Sequence, residues 1–181
     1  MKKKIAVLVG SLRKESYNRR IANELIRLAP ETMELEIVEI GNLPHYNEDL
    51  EENPPKEWTD FREKIQGADG IFIVSPEYNR SMPGALKNAI DIGSRPPKEN
   101  AWIKKPVAVA TASGSGIGGF GANHAIRQSL VFSQIRLLPV ELYIGNMKEL
   151  FKEDGKTLVD DTQDFLKSVL SRFEDWIETF S

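Results

Sequence analysis

The stretch IAVLVGSLRKESYN, Ile5–Asn18, joins an apolar run to a polar turn that is rich in hydroxyl groups. The run at Ile5–Val9 is continuously apolar, as expected of a strand that is buried on both faces of a sheet. After the turn, apolar residues recur at helical spacing from Ile21 to Leu28, and Pro30 ends the repeat. The stretch therefore predicts a strand, a loop and a helix in succession.

The same alternation continues along the chain. Further strands are predicted at Leu35–Ile40, Gly70–Ser75, Val107–Thr111 and Leu138–Ile144. Helices are predicted at Asn18–Leu28, Glu57–Ile65, Pro83–Ile92, Gly121–Phe132 and Asp161–Phe180. Five strands that alternate with helices indicate an α/β fold with a parallel sheet covered on both faces. Right-handed crossovers favour a doubly wound three-layer sandwich, and the length of 181 residues suits a single domain over residues 1–181.

Composition excludes several classes of protein. The net charge is −3, so no overall positive field attracts nucleic acid. The chain has no cysteine, which rules out disulfides, thiolate metal sites and cysteine nucleophiles. Three lysines precede the first apolar run, as in a signal peptide, but that run is only about five residues long and charge returns directly after it. We therefore expect a cytoplasmic protein without a membrane span.

The predicted fold fixes where a ligand would bind. In a doubly wound sheet, ligands lie beyond the carboxyl ends of the strands, where the strand order reverses. For a five-stranded sheet in the order 2-1-3-4-5, this point lies between the first and third strands. The loops that follow Val9 and Ser75 are therefore the candidate site, and the loop after Thr111 lies beside them.

The first loop, GSLRKESYN at Gly10–Asn18, is suited to a single phosphate group. It lacks the second glycine and the Lys-Ser/Thr pair of a Walker loop, and it also lacks the three glycines of a dinucleotide loop. A helix N-terminus offers free N–H groups and a positive dipole, and Arg13 adds a forked, charged donor. The polar residues around it are Ser11, Ser16, Tyr17 and Asn18. Alternatively, Ser16 or Asn18 serves only as a helix cap.

The second loop, SPEYNRSMPGALKNAID at Ser75–Asp91, follows a buried strand directly. Pro76 stiffens the turn, so the backbone of Glu77–Asn79 is free to meet the polar edge of a planar ring. Tyr78 could lie against the face of that ring. Further along, Lys87, Asn88 and Asp91 are interpreted as a solvated helix face.

The third loop contains a literal G-x-G-x-x-G at Gly114, Gly116 and Gly119, and Glu141 follows about twenty residues later, as in dinucleotide-binding proteins. Two features argue against that interpretation. The loop follows the fourth strand rather than the first, and Glu141 falls inside the last apolar run. The glycines more simply allow the backbone to approach a ligand closely. With only two histidines and no cysteine, we expect no metal site.

The first two loops together resemble those of the NADPH-dependent FMN reductase family, and most of all its soluble quinone, chromate and azo-dye reductases. The resemblance spans nearly the whole chain, including LPHYNEDLE at Leu43–Glu51. It implies a flavodoxin-like fold, non-covalently bound FMN, and NADPH or NADH as the hydride donor. It also implies a small-molecule electron acceptor such as a quinone, an azo dye or chromate.

The resemblance further implies which residues bind FMN. It assigns the phosphate to Ser11, Arg13, Ser16 and Asn18, with Tyr17 adjoining. It assigns the flavin ring edge to Pro76, Glu77, Tyr78 and Asn79. Ala112 and Ser113 would close over the polar end of the ring, and Ala112 would do so through its backbone because many relatives carry a hydroxyl there. No catalytic side chain is assigned, since the flavin supplies the chemistry.

Relatives of this kind form homodimers or homotetramers. The loop Gly41–Pro55 and the helix Gly121–Phe132, with His124, Arg127 and Gln128, could supply contacts to a neighbouring copy or be plain solvated surface. Two other functions stay open. A flavodoxin-type electron carrier would share the fold and the cofactor but would not oxidise NADPH itself. An NAD-binding regulator that uses Gly114–Gly119 would bind a nicotinamide cofactor without any flavin.

Overall fold

The computed structural model describes residues 1–180 and places helices on both faces of a parallel sheet. The strands are β1 (Lys3–Val9), β2 (Met33–Ile37), β3 (Gly70–Ser75), β4 (Pro106–Ala112), β5 (Arg136–Leu137) and β6 (Leu142–Ile144). The helices are α1 (Tyr17–Leu28), α2 (Lys56–Gly67), α3 (Gly84–Gly93), α4 (Phe120–Val131) and α5 (Asp160–Glu178). No helix within residues 1–180 is long and apolar enough to cross a membrane.

The strand order confirms the predicted topology. The sheet runs β2-β1-β3-β4-β5, β6 also pairs with β4, and every pairing is parallel. The carboxyl ends of β1 and β3 are neighbours, because Val9 is in register with Val74. The predicted reversal of strand order between these two strands is therefore present.

Two strands differ from their predicted bounds. The expected strand at Leu35–Ile40 begins earlier, at Met33, and ends at Ile37. The expected strand at Leu138–Ile144 is interrupted. Its two parts both pair with β4, but the four residues 138–141 lie opposite only the two residues 108–109. Pro139 lacks a backbone N–H to donate to a ladder, which accounts for an interruption at this position.

Each face of the sheet carries its own apolar core. Alternate residues of a strand point to opposite faces, so Val7 joins the core under α1 and α5 while Leu8 joins the core under α2, α3 and α4. On the first face, Phe72 and Phe173 pack edge to face with their ring centroids 5.7 Å apart. Strands β1, β3 and β4 lie between both layers, which explains their continuous apolar sequences.

The long loop before α2 is fixed by Asn88, so the interpretation of Asn88 as a solvated residue is wrong. The Asn88 side chain is buried, and its Oδ1 accepts a hydrogen bond from the backbone N of Tyr46 at 2.8 Å. Its Nδ2 donates to the carbonyl oxygens of Leu43 and Pro44 at 3.3 and 3.2 Å. Trp58 Nε1 also donates to the Pro44 carbonyl, at 2.9 Å. The loop is thereby held against α3 and α2.

Replacement of Asn88 by alanine is expected to lower the free energy of unfolding by about 1.5 kcal/mol, because buried backbone groups of the loop lose their partner. Chemical denaturation followed by circular dichroism measures this loss. Lys87→Ala is the matched control, since the Lys87 ammonium is exposed and pairs with Asp91 on the same helix. An equal loss in both variants would contradict the bracing role of Asn88.

Candidate functional site

A pocket of about 180 Å³ lies at the carboxyl ends of β1, β3 and β4. All three predicted loops contribute to it. Its lining residues are Ser11, Arg13, Ser16, Tyr17, Asn18, Pro76, Glu77, Tyr78, Ala112, Ser113, Gly114 and Met147. The sheet topology thus brings together residues that lie more than a hundred positions apart in the sequence.

Among the residues predicted to bind a cofactor, all except Asn79 line this pocket. Two further lining residues, Gly114 and Met147, were not predicted. Gly114 belongs to the glycine-rich loop that the sequence had already indicated. Met147 follows β6, is fully buried, and donates its backbone N–H to the carbonyl of Ser113 at 3.3 Å. No sequence pattern marks Met147, since only the packing of the third loop brings it to the pocket.

The first loop ends at the N-terminus of α1. Ser16 is the N-cap, and its Oγ accepts a hydrogen bond from the backbone N of Arg19 at 3.2 Å. Ser16 therefore does cap the helix, yet its hydroxyl proton is still available to a ligand. The N–H groups of the first helical turn have no acceptor within the helix, and the positive end of the helix dipole points the same way. This part of the pocket favours an anion.

Two arginines near the first loop differ in their pairing. Arg19 forms a bidentate ion pair with Glu39, at 2.8 and 2.6 Å, and this pairing lowers the pKa of the Glu39 carboxyl. Arg13 is exposed, and its guanidinium has no hydrogen-bond or ion-pair partner within residues 1–180. The side chain that lines the pocket is therefore the one whose charge is free.

Asn18 carries an unsatisfied polar atom. Its side chain is buried, and its Oδ1 has no hydrogen-bond partner within the described part of the chain. Buried polar atoms are rarely left without a partner, so this atom indicates that a ligand group completes the site. Ser11 is buried in the lining of the same pocket, and its Oγ accepts a long bond, of 3.4 Å, from the backbone N of Arg13.

The second loop forms a tight turn at the edge of the pocket. Tyr78 and Ser81 exchange backbone hydrogen bonds of 2.9 Å in each direction. Between them, Asn79 and Arg80 have φ angles of 49° and 63°. The backbone N–H groups of Glu77, Asn79 and Arg80 donate to no protein group within residues 1–180. Tyr78 is 46% exposed, so donors and an aromatic surface are both available to a planar ligand.

The glycine-rich third loop is packed against β6. A Cβ atom at Gly118, where φ is 65°, would lie 2.8 Å from the backbone N of Ile144, and one at Gly145 would lie 2.7 Å from the carbonyl of Gly116. The glycines therefore permit close packing of two backbone segments, as well as contact with the pocket.

Glu141 belongs to a cluster with Tyr143 and His124. The Tyr143 hydroxyl donates to Glu141 Oε2 at 2.6 Å and lies 3.2 Å from His124 Nε2. Burial and the hydrogen bond to Glu141 raise the pKa of Tyr143 to about 12. Glu141 is thus engaged with its own neighbours, which disfavours the dinucleotide interpretation of this sequence.

A doubly wound sheet with an anion-suited pocket at the switch between β1 and β3 defines a flavodoxin-like nucleotide-binding protein. Residues 3–149 match the model of one family with that architecture, described as NADPH-dependent FMN reductase. The chain belongs to this family. It is accordingly an oxidoreductase, with FMN as its cofactor and NAD(P)H as its electron source.

Relatives of known name agree with this assignment. A quinone reductase from Pseudomonas putida is 54% identical over 176 residues, which cover 96% of this chain and 94% of the relative. A 2-hydroxy-1,4-benzoquinone reductase from a Burkholderia species is 38% identical, with 96% of each chain covered. The solved structure of a flavoenzyme NAD(P)H:(acceptor) oxidoreductase from Paracoccus denitrificans superimposes with a TM-score of 0.91 at 38% identity, covering 98% of both chains.

A flavodoxin from Pseudomonas aeruginosa shares the fold alone. Its TM-score is 0.61 at 14% identity, with 94% of this chain and 99% of the flavodoxin covered. The comparisons therefore confirm the predicted oxidoreductase and give no support to the electron-carrier alternative.

Proposed function

We propose that this chain reduces quinones with electrons from NADPH or NADH, by way of FMN bound in the pocket at the ends of β1, β3 and β4. Flavin in such enzymes accepts a hydride from the nicotinamide and passes two electrons to an acceptor. Quinones are favoured over azo dyes and chromate because relatives that are 54% and 38% identical are named as reductases of quinones.

The observation that carries the proposal is the unpaired positive charge at the first loop. The Arg13 guanidinium has no partner among residues 1–180, and it shares the pocket with the N-terminus of α1. Together they suit a phosphate dianion, which the hydroxyls of Ser11 and Ser16 and the amide of Asn18 would also contact. A monophosphate needs no glycine-rich cradle, which agrees with the single glycine of this loop.

The unsatisfied Asn18 Oδ1 fits the rest of the same cofactor. The chain that links phosphate to flavin carries hydroxyl groups, and a hydroxyl is a donor that a buried amide oxygen requires. FMN would therefore satisfy both the free cation and the orphaned acceptor of this pocket.

The turn after β3 would bind the ring edge. The free backbone N–H groups beside Tyr78 are suited to the polar edge of the ring, where they would stabilise negative charge. The exposed Tyr78 ring would lie along the ring face. Ala112 and Ser113 would close over the polar end, and Ala112 would do so through its backbone alone. No acid, base or nucleophile of the protein is assigned a part in the chemistry.

We further propose that the chain acts as a homodimer or homotetramer. Phe132 and Val131, at the end of α4, are 89% and 61% exposed, and Phe132 borders a groove of about 600 Å³ between α3 and α4. The Arg127 guanidinium donates to Asn123, Leu138 and Val140 of its own chain, so it is not a freely solvated side chain. The cytoplasmic location stays a prediction from the sequence.

Stoichiometric NADPH, added without oxygen to FMN-reconstituted protein, is expected to bleach the visible flavin absorbance promptly. One equivalent of benzoquinone should then restore the absorbance, because the acceptor removes two electrons. Free FMN with NADPH is the control. A flavin that is bound but stays yellow would indicate a carrier that needs a separate reductase. If the protein retains no flavin, the interpretation of both loops is wrong.

A further inference from the structure

Glu77 lines the pocket, but its carboxylate is directed toward α4. Its side chain is 14% exposed, and its Oε2 accepts a hydrogen bond from the backbone N of Ala122, in the first turn of α4, at 3.1 Å. The N-cap of α4 is Gly119, which has no side chain to cap the helix. Glu77 thus supplies from the second loop the acceptor that this helix end lacks.

The turn beyond Glu77 adopts a backbone conformation that Arg80 disfavours, although asparagine tolerates it at position 79. Positive φ angles are uncommon in residues other than glycine, and here Asn79 and Arg80 both have them in succession. The turn packs so closely on α4 that a Cβ atom at Gly121 would lie 2.6 Å from the Arg80 carbonyl oxygen. Contact with α4 therefore supports this conformation from outside the turn.

We propose that Glu77 is a positioning residue that ties the turn 78–81 to α4 and so fixes the backbone donors that bind the flavin ring edge. The inference rests on the function proposed above. The effective element is the bond to Ala122, since this bond is partly buried and the Glu77 side chain is 14% exposed. The second carboxylate oxygen pairs with Arg80 at 3.2 Å, but the Arg80 side chain is 76% exposed, so this ion pair contributes little.

Comparing the binding of riboflavin with that of FMN separates this role from phosphate binding, because riboflavin has the same ring but no phosphate. Glu77→Ala is expected to weaken the binding of both flavins about tenfold, as expected for the loss of donors to the ring. Glu77→Gln should restore binding to within about twofold of the unmodified chain, because its amide oxygen still accepts from Ala122. Dissociation constants follow from quenching of flavin fluorescence.

A second variant tests the same contact from the helix side. Gly121→Ala places a methyl group against the Arg80 carbonyl and should also weaken the binding of both flavins about tenfold. The helix itself should not be destabilised, because alanine has a higher helix propensity than glycine. Gly84→Ala is the matched control, because it lies in the first turn of α3 and its Cβ would meet nothing within 4 Å. If Glu77→Ala does not fold, Gly121→Ala decides the question.

The outcomes are distinct. Riboflavin binding that is unchanged in Glu77→Ala or in Gly121→Ala would overturn the inference, as would a loss confined to FMN. A Glu77→Gln variant as weak as Glu77→Ala would overturn it too, since charge rather than the bond to Ala122 would then matter. If the unmodified chain binds neither flavin, the proposed function itself fails.

Discussion

Replacement of Asn123 by leucine is expected to lower the free energy of unfolding by about 4 kcal/mol and to reduce the melting temperature by roughly 10 °C. Asn123 is fully buried in α4 and faces the interrupted edge of the sheet. Its Nδ2 lies within hydrogen-bond distance of three acceptors, at 3.3 to 3.4 Å. They are the carbonyls of Val109 and Leu142 and the Thr111 hydroxyl.

The larger part of the expected loss comes from Arg127. Asn123 Oδ1 accepts from Arg127 Nε at 2.7 Å, and the guanidinium also donates to the carbonyls of Leu138 and Val140. These carbonyls belong to the segment between β5 and β6, where the ladder with β4 is broken. Burial lowers the pKa of Arg127, which means that its charge is already costly to keep inside. Leucine would remove one acceptor of a half-buried cation.

Thermal and denaturant unfolding of the flavin-free protein would measure the effect without any contribution from ligand binding. Gln128→Ala is the matched control on the same helix, because Gln128 is exposed and its side chain makes no hydrogen bond within residues 1–180. The Gln128→Ala variant should lose less than about 0.5 kcal/mol of unfolding free energy. An Asn123→Leu variant as stable as the control would show that water replaces the missing acceptor.

The parallel sheet was predictable because its signal is local. Strands such as β1 and β3 are buried on both faces, so their sequences are continuously apolar, and the intervening helices repeat at helical spacing. Proline at position 83 marks the start of α3 in the same local way. Strand order then follows from the handedness of the crossovers and from the resemblance to a known family.

The features that the sequence did not predict depend on contacts between distant residues. Asn88 has the spacing of a solvated helix residue, and only the loop that folds over it makes it a buried brace. The break between β5 and β6 is completed by Arg127 and Asn123 from α4. Met147 reaches the pocket because its backbone bonds to Ser113. None of these pairings leaves a periodic or compositional trace.

The candidate site could be predicted from the sequence in its position but not in its details. Position at the ends of β1 and β3 is a property of the fold, so the loops around Ser16 and Tyr78 were identifiable in advance. What each side chain does inside the loop was not. The sequence left two roles open for Ser16, of which the structure shows the helix cap, and it gave no sign that the Glu77 carboxylate is directed to α4 rather than into the pocket. The assignment of these residues to FMN stays a prediction.

Arg13→Ala is expected to weaken FMN binding roughly 50-fold and to leave riboflavin binding within about twofold. A charged hydrogen bond contributes about 1.5–3 kcal/mol, which corresponds to a factor of roughly 10 to 140 in affinity. Arg13 is the residue to change because its guanidinium has no partner in the described part of the chain, whereas Arg19 is held by Glu39. Its removal therefore costs the protein no internal interaction.

Lys14→Ala is the matched control, since Lys14 is the adjacent exposed cation and does not line the pocket. This variant removes the same unit of charge, so it measures how much of the affinity lost in Arg13→Ala comes from non-specific electrostatic attraction. Raising the salt concentration should reduce the difference between Arg13→Ala and the unmodified chain for FMN, because an exposed cation is screened. The dissociation constants of riboflavin should not change with the salt concentration. Equal losses for both flavins would mean that Arg13 supports the loop rather than the phosphate, and the anion would then depend on the N-terminus of α1 alone.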